Sequence, residues 1–376
     1  MTQELSLTQI RNIFKNKEVD TFLNDVYNLS NSHKSRQLYR QILCSFNRFC
    51  LLTYDKDLVK LIEELKPKPL EDILDTLLQY KRYLDNHTTR SGIGISNSTK
   101  RVQLSVLKNF FRACGIKIHY EDIRDHIKIG RKMRVQKFAL DPQTVAKIII
   151  KVTKFQYKAL SILLASTGMR VMEAITLQPS DFDFRSNPVC IRLRPKETKT
   201  NEGRTVYLTS ECTGMMEQII NNKPESQQYL FGKSPHPDVI YRAYGRIIRN
   251  ALRQLDLYKI LDNGKNQITI HSFRSFFRTY AGHLISRDFA ESFIGHRFYL
   301  SEYENMPEEE KKKLFLKLEP HITFSQVRVR SNATSLDTIS LQEQIQDLED
   351  KIRVLAQKFL ADRSTSDQTL VKNYFS

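Results

Sequence analysis

The chain has 376 residues, with Lys+Arg 59 against Asp+Glu 42, a formal net charge of +17 and 40% hydrophobic residues. Gly 12 and Pro 11 exclude collagen-like and low-complexity chains, and no apolar run approaches the roughly 18 residues needed to cross a bilayer. A basic excess of this size asks for a polyanionic partner, nucleic acid before an anionic membrane surface.

The excess is not an end tail. The running sum reaches about +10 by Lys137 and about +19 by Leu300, so the last 76 residues sum to about −2. The five cysteines are odd in number and form no CxxC, which indicates reduced thiols in a cytosolic protein rather than a disulfide framework or a cysteine zinc site. The start, Met1-Thr2-Gln3-Glu4-Leu5, lacks the basic and apolar regions of a secretory signal. The length allows two or three domains.

In chain order, Ser32 to Tyr54 carries Leu38, Ile42, Phe46, Phe49 and Leu52 at helical spacing, with Lys34, Arg36, Arg40 and Arg48 between them. Leu70 to Leu84 is a second amphipathic helix after a Pro67/Pro69 break. A loop containing Gly92 and Gly94 follows. Ser98 is the expected N-cap of a third helix carrying Val102, Val106, Leu107, Phe110 and Phe111, which Gly115 ends. Residues 1–130 therefore read as a small all-helical domain. Residues 131–140 read as a basic linker, in which Arg131, Lys132, Arg134 and Lys137 are candidates to lie along a phosphate backbone, together with Lys34, Arg36, Arg40, Lys100 and Arg101 upstream.

A second domain, 141–330, opens at Asp141-Pro142, an N-cap followed by proline at the first helical position. Helices run to about Ala165, break at Thr167-Gly168, and resume briefly to Leu177. Val189–Leu193 and Thr205–Leu208 read as a β-hairpin with a long polar tip. Further helices begin near Glu211, Asp238, Ser272 and Arg287, and a last one spans Pro307 to Leu318, with three Glu before three Lys as the helix dipole favours. Over 336–361, Leu341, Ile345, Leu348, Ile352, Leu355 and Phe359 make a short heptad seam that suits either oligomerisation or packing on the same protein; 362–376 reads as a loose tail. The fold class expected is mainly α with a small β-hairpin or sheet: a helical domain, an α+β domain and a C-terminal heptad helix.

Scans for nucleotide and metal motifs are empty. Gly232-Lys233-Ser234 lacks the upstream glycine of a P-loop, Gly92-Ile93-Gly94 does not extend to GxGxxG, and there is no HExxH, GxSxG or EF-hand loop. Four other pieces carry chemistry. Thr167-Gly168-Met169-Arg170 is followed by Glu173, placed to hold the Arg170 guanidinium while its other edge meets a phosphate oxygen. The hairpin tip offers Lys196 and Lys199 as general acids. His271 and Arg274 lie three apart, on one helix face. Gly295-His296 is followed by Tyr299 and Tyr303. Each alone is commonplace: an ion pair, a solvated lysine, a capping histidine.

Their order, Arg, Lys, His-x-x-Arg, Gly-His and Tyr over roughly 130 residues behind a basic helical domain, resembles the tyrosine recombinases, the phage-integrase and Xer-type family, in its archaeal chromosomal or viral flavour. The likeness covers Ser32 to about Phe324. It implies a helical core-binding domain and a catalytic domain that cut and rejoin DNA for integration, excision or dimer resolution. Arg170 and Arg274 would clamp the scissile phosphate, His271 and His296 would add hydrogen bonds and assist proton transfer, Lys199 would protonate the leaving 5′ oxygen, and Glu173 would support Arg170. A tyrosine would form a 3′-phosphotyrosyl link. The position nine after the histidine, where many members carry the nucleophile, is Asn305. The resemblance favours Tyr303, which follows Leu300-Ser301 and precedes an acidic helix, over Tyr299, and it favours Lys199, in Lys199-Thr200 before Gly203-Arg204, over Lys196. The resemblance implies no metal, no cofactor and no ATP. It implies double-stranded DNA as partner, a tetramer on DNA that is a dimer or monomer when free, no membrane, and a cytoplasmic, nucleoid-associated place in a prokaryotic or viral system. Type IB topoisomerase-like relaxation and a catalytically decayed DNA-binding protein are the competing readings.

Overall fold

The computed structural model describes residues 6–88, 92–131, 138–195, 203–295 and 306–324. Two compact units emerge: Met1–Gln136 with Ile260–Lys265, and Lys137–Lys259 with the chain from Asn266 onward. The hairpin tip with Lys196 and Lys199, the linker residues Lys132, Arg134 and Lys137, the segment with His296, Tyr299 and Tyr303, and the heptad seam all lie outside the described residues.

The described part of the first unit is helical: α1 (Leu7–Arg11), α2 (Lys17–Ser30), α3 (His33–Tyr54), α4 (Leu58–Leu65), α5 (Leu70–Asp85), α6 (Asn97–Ala113) and α7 (Tyr120–His126). Ser32 caps α3 by accepting from the Ser35 amide. The cap of α6 is Ser96 and not Ser98, because the Ser96 hydroxyl accepts from the Thr99 amide and starts the helix two residues earlier. The core is aromatic: Phe46, Phe49, Tyr80, Phe110 and Phe111 are fully buried, with Phe46 edge-on to Tyr80 at 4.9 Å. Leu38, Leu52 and Val102, expected on apolar stripes, are instead exposed at the margins of those stripes. Buried Asn47 ties three helices, its amide nitrogen donating to the Ile10 carbonyl (2.9 Å) and its oxygen accepting from the Leu58 amide (2.7 Å).

The second unit contains α8 (Pro142–Lys151), α9 (Phe155–Thr167), α10 (Val171–Ile175), strands β1 (Phe182–Asp183), β2 (Cys190–Leu193) and β3 (Arg204–Tyr207), then α11 (Ser210–Asn221), α12 (Pro237–Gln254), α13 (His271–Leu284), α14 (Arg287–Ile294) and α15 (Glu308–Leu318). From Ala159 to Thr167 every residue of α9 is buried, as expected of a helix apolar on all sides with neighbours around it. Helices α8, α10, α11 and α13 pack on it. The hairpin gains a third strand that its sequence did not announce. Antiparallel β1–β2–β3 pairs Phe182 with Ile191 and Ile191 with Val206, and β1 is only two residues long. The buried carboxylate of Glu291 pairs with the exposed Arg278 and fastens α13 to α14.

Candidate active site

Three chain breaks build the site. Helix α9 ends at Gly168, whose φ of +64° is left-handed. A Cβ at Gly168 would lie 2.5 Å from Phe277 and 2.9 Å from Ile294, so only glycine fits. Two residues on, Arg170 is the N-cap of α10. Its amide donates to Glu173 Oε2 (3.0 Å) and its Nη1 to Glu173 Oε1 (2.8 Å). The second break is Gly295, also left-handed at φ +67°, which ends α14 immediately before His296. The third is the start of β3, where Arg204 follows Gly203.

Arg274, on α13 and 4% exposed, joins two of these breaks. Its Nη1 donates to the Gly168 carbonyl (2.7 Å) and its Nη2 to the Ile294 carbonyl (2.6 Å). Both carbonyls stand at helix C-termini, where acceptors lack an intrahelical partner and the dipole end is negative. One guanidinium fork therefore satisfies two helix ends and fixes the turn before Arg170 against the turn before His296. His271, one turn earlier on the same helix, is exposed at its first position.

Glu173 sits at the centre of the charges, 4% exposed. It also accepts from Arg204 Nη2 (2.6 Å). Burial pushes its carboxyl up, but the hydrogen bond and charge of Arg204, followed by Arg170, outweigh burial and hold it below its ordinary value. Burial, and then the like charge of Arg170, push Arg274 down to about 10, with Arg204 adding to the effect. The cluster thus gathers three guanidiniums around one central carboxylate. The neighbouring Glu291 is already bonded to Arg278. Positive charge in excess, partly buried and fixed by these hydrogen bonds, can receive an anion.

The sequence-predicted residues fare unequally. Arg170, Glu173 and Arg274 converge; His271 is on the same helix as Arg274; Lys199, His296 and Tyr303 are outside the described residues. Arg204 was missed, since its partners are 31 and 89 residues away along the chain. Among the proposed DNA contacts, Lys100 is corrected: it is buried at 8% exposure and paired with Asp85 at 2.5 Å, so its charge is spent inside the protein. Arg101 donates to the Ile129 and Gly130 carbonyls and fastens the segment entering the linker; the Arg131 carbonyl accepts from Asn97. Arg36 and Arg40 line one groove with Arg11 and His33, Arg36 facing Asp20 at 3.6 Å and Arg40 stacked over Phe14. Lys34 is exposed on the same helix, next to His33. A further basic face escaped notice: Arg242, Arg246 and Arg249 on α12 line a groove with Asn266, Thr269 and Ile270, directly before His271. Their spacing of four and three along a helix was the signal.

A family model described as the phage integrase family matches residues 139–299. No curated protein matches the chain. Among solved structures, a lambda integrase tetramer bound to a Holliday junction is similar at 15% identity and a TM-score of 0.52, over 79% of this chain and 83% of that one. The Tn1549 transposon integrase in complex with circular intermediate DNA is similar at 16% identity and a TM-score of 0.50, over 84% and 99%. At these identities the likeness concerns the fold: a mostly helical chain with a small sheet, as the sequence predicted.

Proposed function

We propose, from the match of residues 139–299 to the phage integrase family, that the chain is a tyrosine recombinase that cuts and rejoins double-stranded DNA at specific sites. The observation that carries this reading is the Arg170–Glu173–Arg274 cluster, in which the two motif arginines meet at the ends of α9 and α14.

Arg170 and Arg274 receive the non-bridging oxygens of one phosphodiester, with His271 as a further donor. The Tyr303 hydroxyl attacks phosphorus and gives its proton to His271 or His296. The bond from phosphorus to the 5′ oxygen breaks, and Lys199 delivers a proton to that oxygen. The products are a 3′-phosphotyrosyl enzyme and a free 5′-hydroxyl. Attack by a 5′-hydroxyl from the partner duplex reverses the step and releases Tyr303. The covalent link conserves the bond energy, so rejoining needs no nucleotide hydrolysis. The arginines act because charge on the phosphoryl oxygens is met by donors already in place. Residues 1–130 serve as the core-binding domain and 141–330 as the catalytic domain. Lys34, Arg36, Arg40, Arg101, Arg131, Lys132, Arg134 and Lys137, with Arg242, Arg246 and Arg249, supply backbone contacts.

The lambda integrase neighbour is a tetramer on a Holliday junction, which supports a four-protomer assembly here, since two duplexes present four strands to cut. A chromosomal or viral DNA substrate sets the work in the cytoplasm or nucleoid of a prokaryotic host. To test the reading, the protein is incubated with a library of nicked duplexes, boiled in detergent, and the DNA that stays attached is sequenced. A common sequence is expected in the adducts. Salt-sensitive binding with no adduct on any duplex would instead make this a DNA-binding protein.

A further inference from the structure

Arg204 has no role in the mechanism above, yet it is the most constrained side chain near it. It is 9% exposed at the first position of β3. Its Nη2 donates to Glu173 Oε2 at 2.6 Å, and its Nε donates to the Phe293 carbonyl at 2.9 Å. Its Nη1 is buried with no hydrogen-bond partner among the described residues. A Cβ on Gly295 would lie 2.9 Å from that Nη1, so glycine at 295 leaves room for the arginine as well as allowing the left-handed turn.

These contacts form a second bridge beside that of Arg274. Arg274 ties the end of α9 to the end of α14 through two carbonyls. Arg204, from the first position of β3, ties the carboxylate that holds Arg170 to the same end of α14.

We propose that Arg204 is a positioning residue for strand cleavage: it fixes Glu173, and through it Arg170, to the C-terminal end of α14, so that the phosphate-binding arginine keeps one geometry. This rests on the recombinase reading. A lysine in its place keeps the charge but cannot serve Glu173 and the Phe293 carbonyl with a planar fork.

The test uses the full chain and a nicked duplex recovered from the adduct library, made with either the natural phosphodiester or a neutral methylphosphonate at the scissile position. The methylphosphonate lacks the charge that Arg170 would stabilise. The wild-type protein, Arg204→Lys, Arg170→Ala and the double variant are compared by the initial rate of adduct formation. Arg204→Lys is expected to slow cleavage of the phosphodiester roughly 10- to 100-fold, the scale of a misplaced catalytic group. Its defect should shrink several-fold on the methylphosphonate, and the double variant should be no slower than Arg170→Ala. A merely structural role would give equal losses on both substrates and additive losses in the double variant, and that result overturns the proposal; so does a wild-type rate in Arg204→Lys. If Arg204→Lys does not fold, Glu173→Gln, which breaks the same bridge from its other end, is expected to give the same substrate-dependent pattern, and equal losses on both substrates overturn the proposal. Wild-type protein that forms no adduct overturns the recombinase reading, and this inference with it.

Discussion

Arg274 holds two helix ends together and, in the proposed reaction, also meets the scissile phosphate. Its fork closes two helix ends, and its charge is held in place at a cost: burial, with Arg170 beside it, takes it down to about 10. A basic group depressed from 12.5 to about 10 in the fold weighs against stability at all pH below 10, and the penalty fades only as pH rises from 10 toward 12.5. The group is therefore fully charged near neutrality, and the penalty is relieved by an anion instead. Sulfate at fixed ionic strength should raise the melting temperature of the wild-type protein, because a ligand that binds only the folded state stabilises it. Arg170→Ala should lose most of that increment. Equal shifts in both proteins, read by calorimetry, would mean the cluster does not bind anions. The charge of Glu173 works in the opposite sense. Its carboxyl is held low, so its contribution is complete above its ordinary value of 4.5 and is lost as pH falls through the lower folded value.

At the scale of elements, the site is a meeting of chain breaks, and glycine makes them possible. Gly168→Ala combines a left-handed backbone with a methyl 2.5 Å from the Phe277 ring. The backbone strain alone costs about 1–3 kcal/mol, and the displaced ring adds to it. Urea denaturation should show a loss of at least about 2 kcal/mol; an unchanged midpoint would mean that α13 yields freely at this contact. Such local devices were readable in the sequence. Gly168, Arg170 and Glu173 are within six residues of each other, and His271 and Arg274 are one helical turn apart, so spacing fixed their relation. What spacing could not reach was closure over distance. Arg204 finds Glu173 and Phe293 only after β3 and α14 have packed. Lys100, a candidate phosphate contact by sequence, is instead paired with Asp85 at the end of α5, 15 residues away along the chain. The short helices α1, α4 and α7, and the two-residue strand β1, present too few residues for a periodic pattern to stand out. Ser96 and Ser98 are equivalent caps by type, and only the hydrogen bond to Thr99 chooses between them.

For the whole molecule, a charge of +17 first implied only a polyanion. Part of that charge is gathered in two places: Arg170, Arg204 and Arg274 surround Glu173, and Arg242, Arg246 and Arg249 line a groove on α12. Strand exchange between two duplexes also needs assembly, and the heptad seam from Leu341 to Phe359 is the segment whose sequence suits it. Removing residues 336–376 should leave adduct formation on a single nicked duplex within about threefold while recombination between two duplexes falls at least about tenfold; intact recombination by the truncated chain would free the seam of that role. The central claim, covalent cleavage by a tyrosine served by this cluster, is tested most directly by mapping the adduct. Protein trapped on a nicked duplex is digested and the DNA-linked peptide identified by mass spectrometry, with Tyr303→Phe as control. The account predicts a phosphotyrosyl bond at Tyr303 and no adduct from the variant. A link at Tyr299, or full cleavage by Tyr303→Phe, would contradict it.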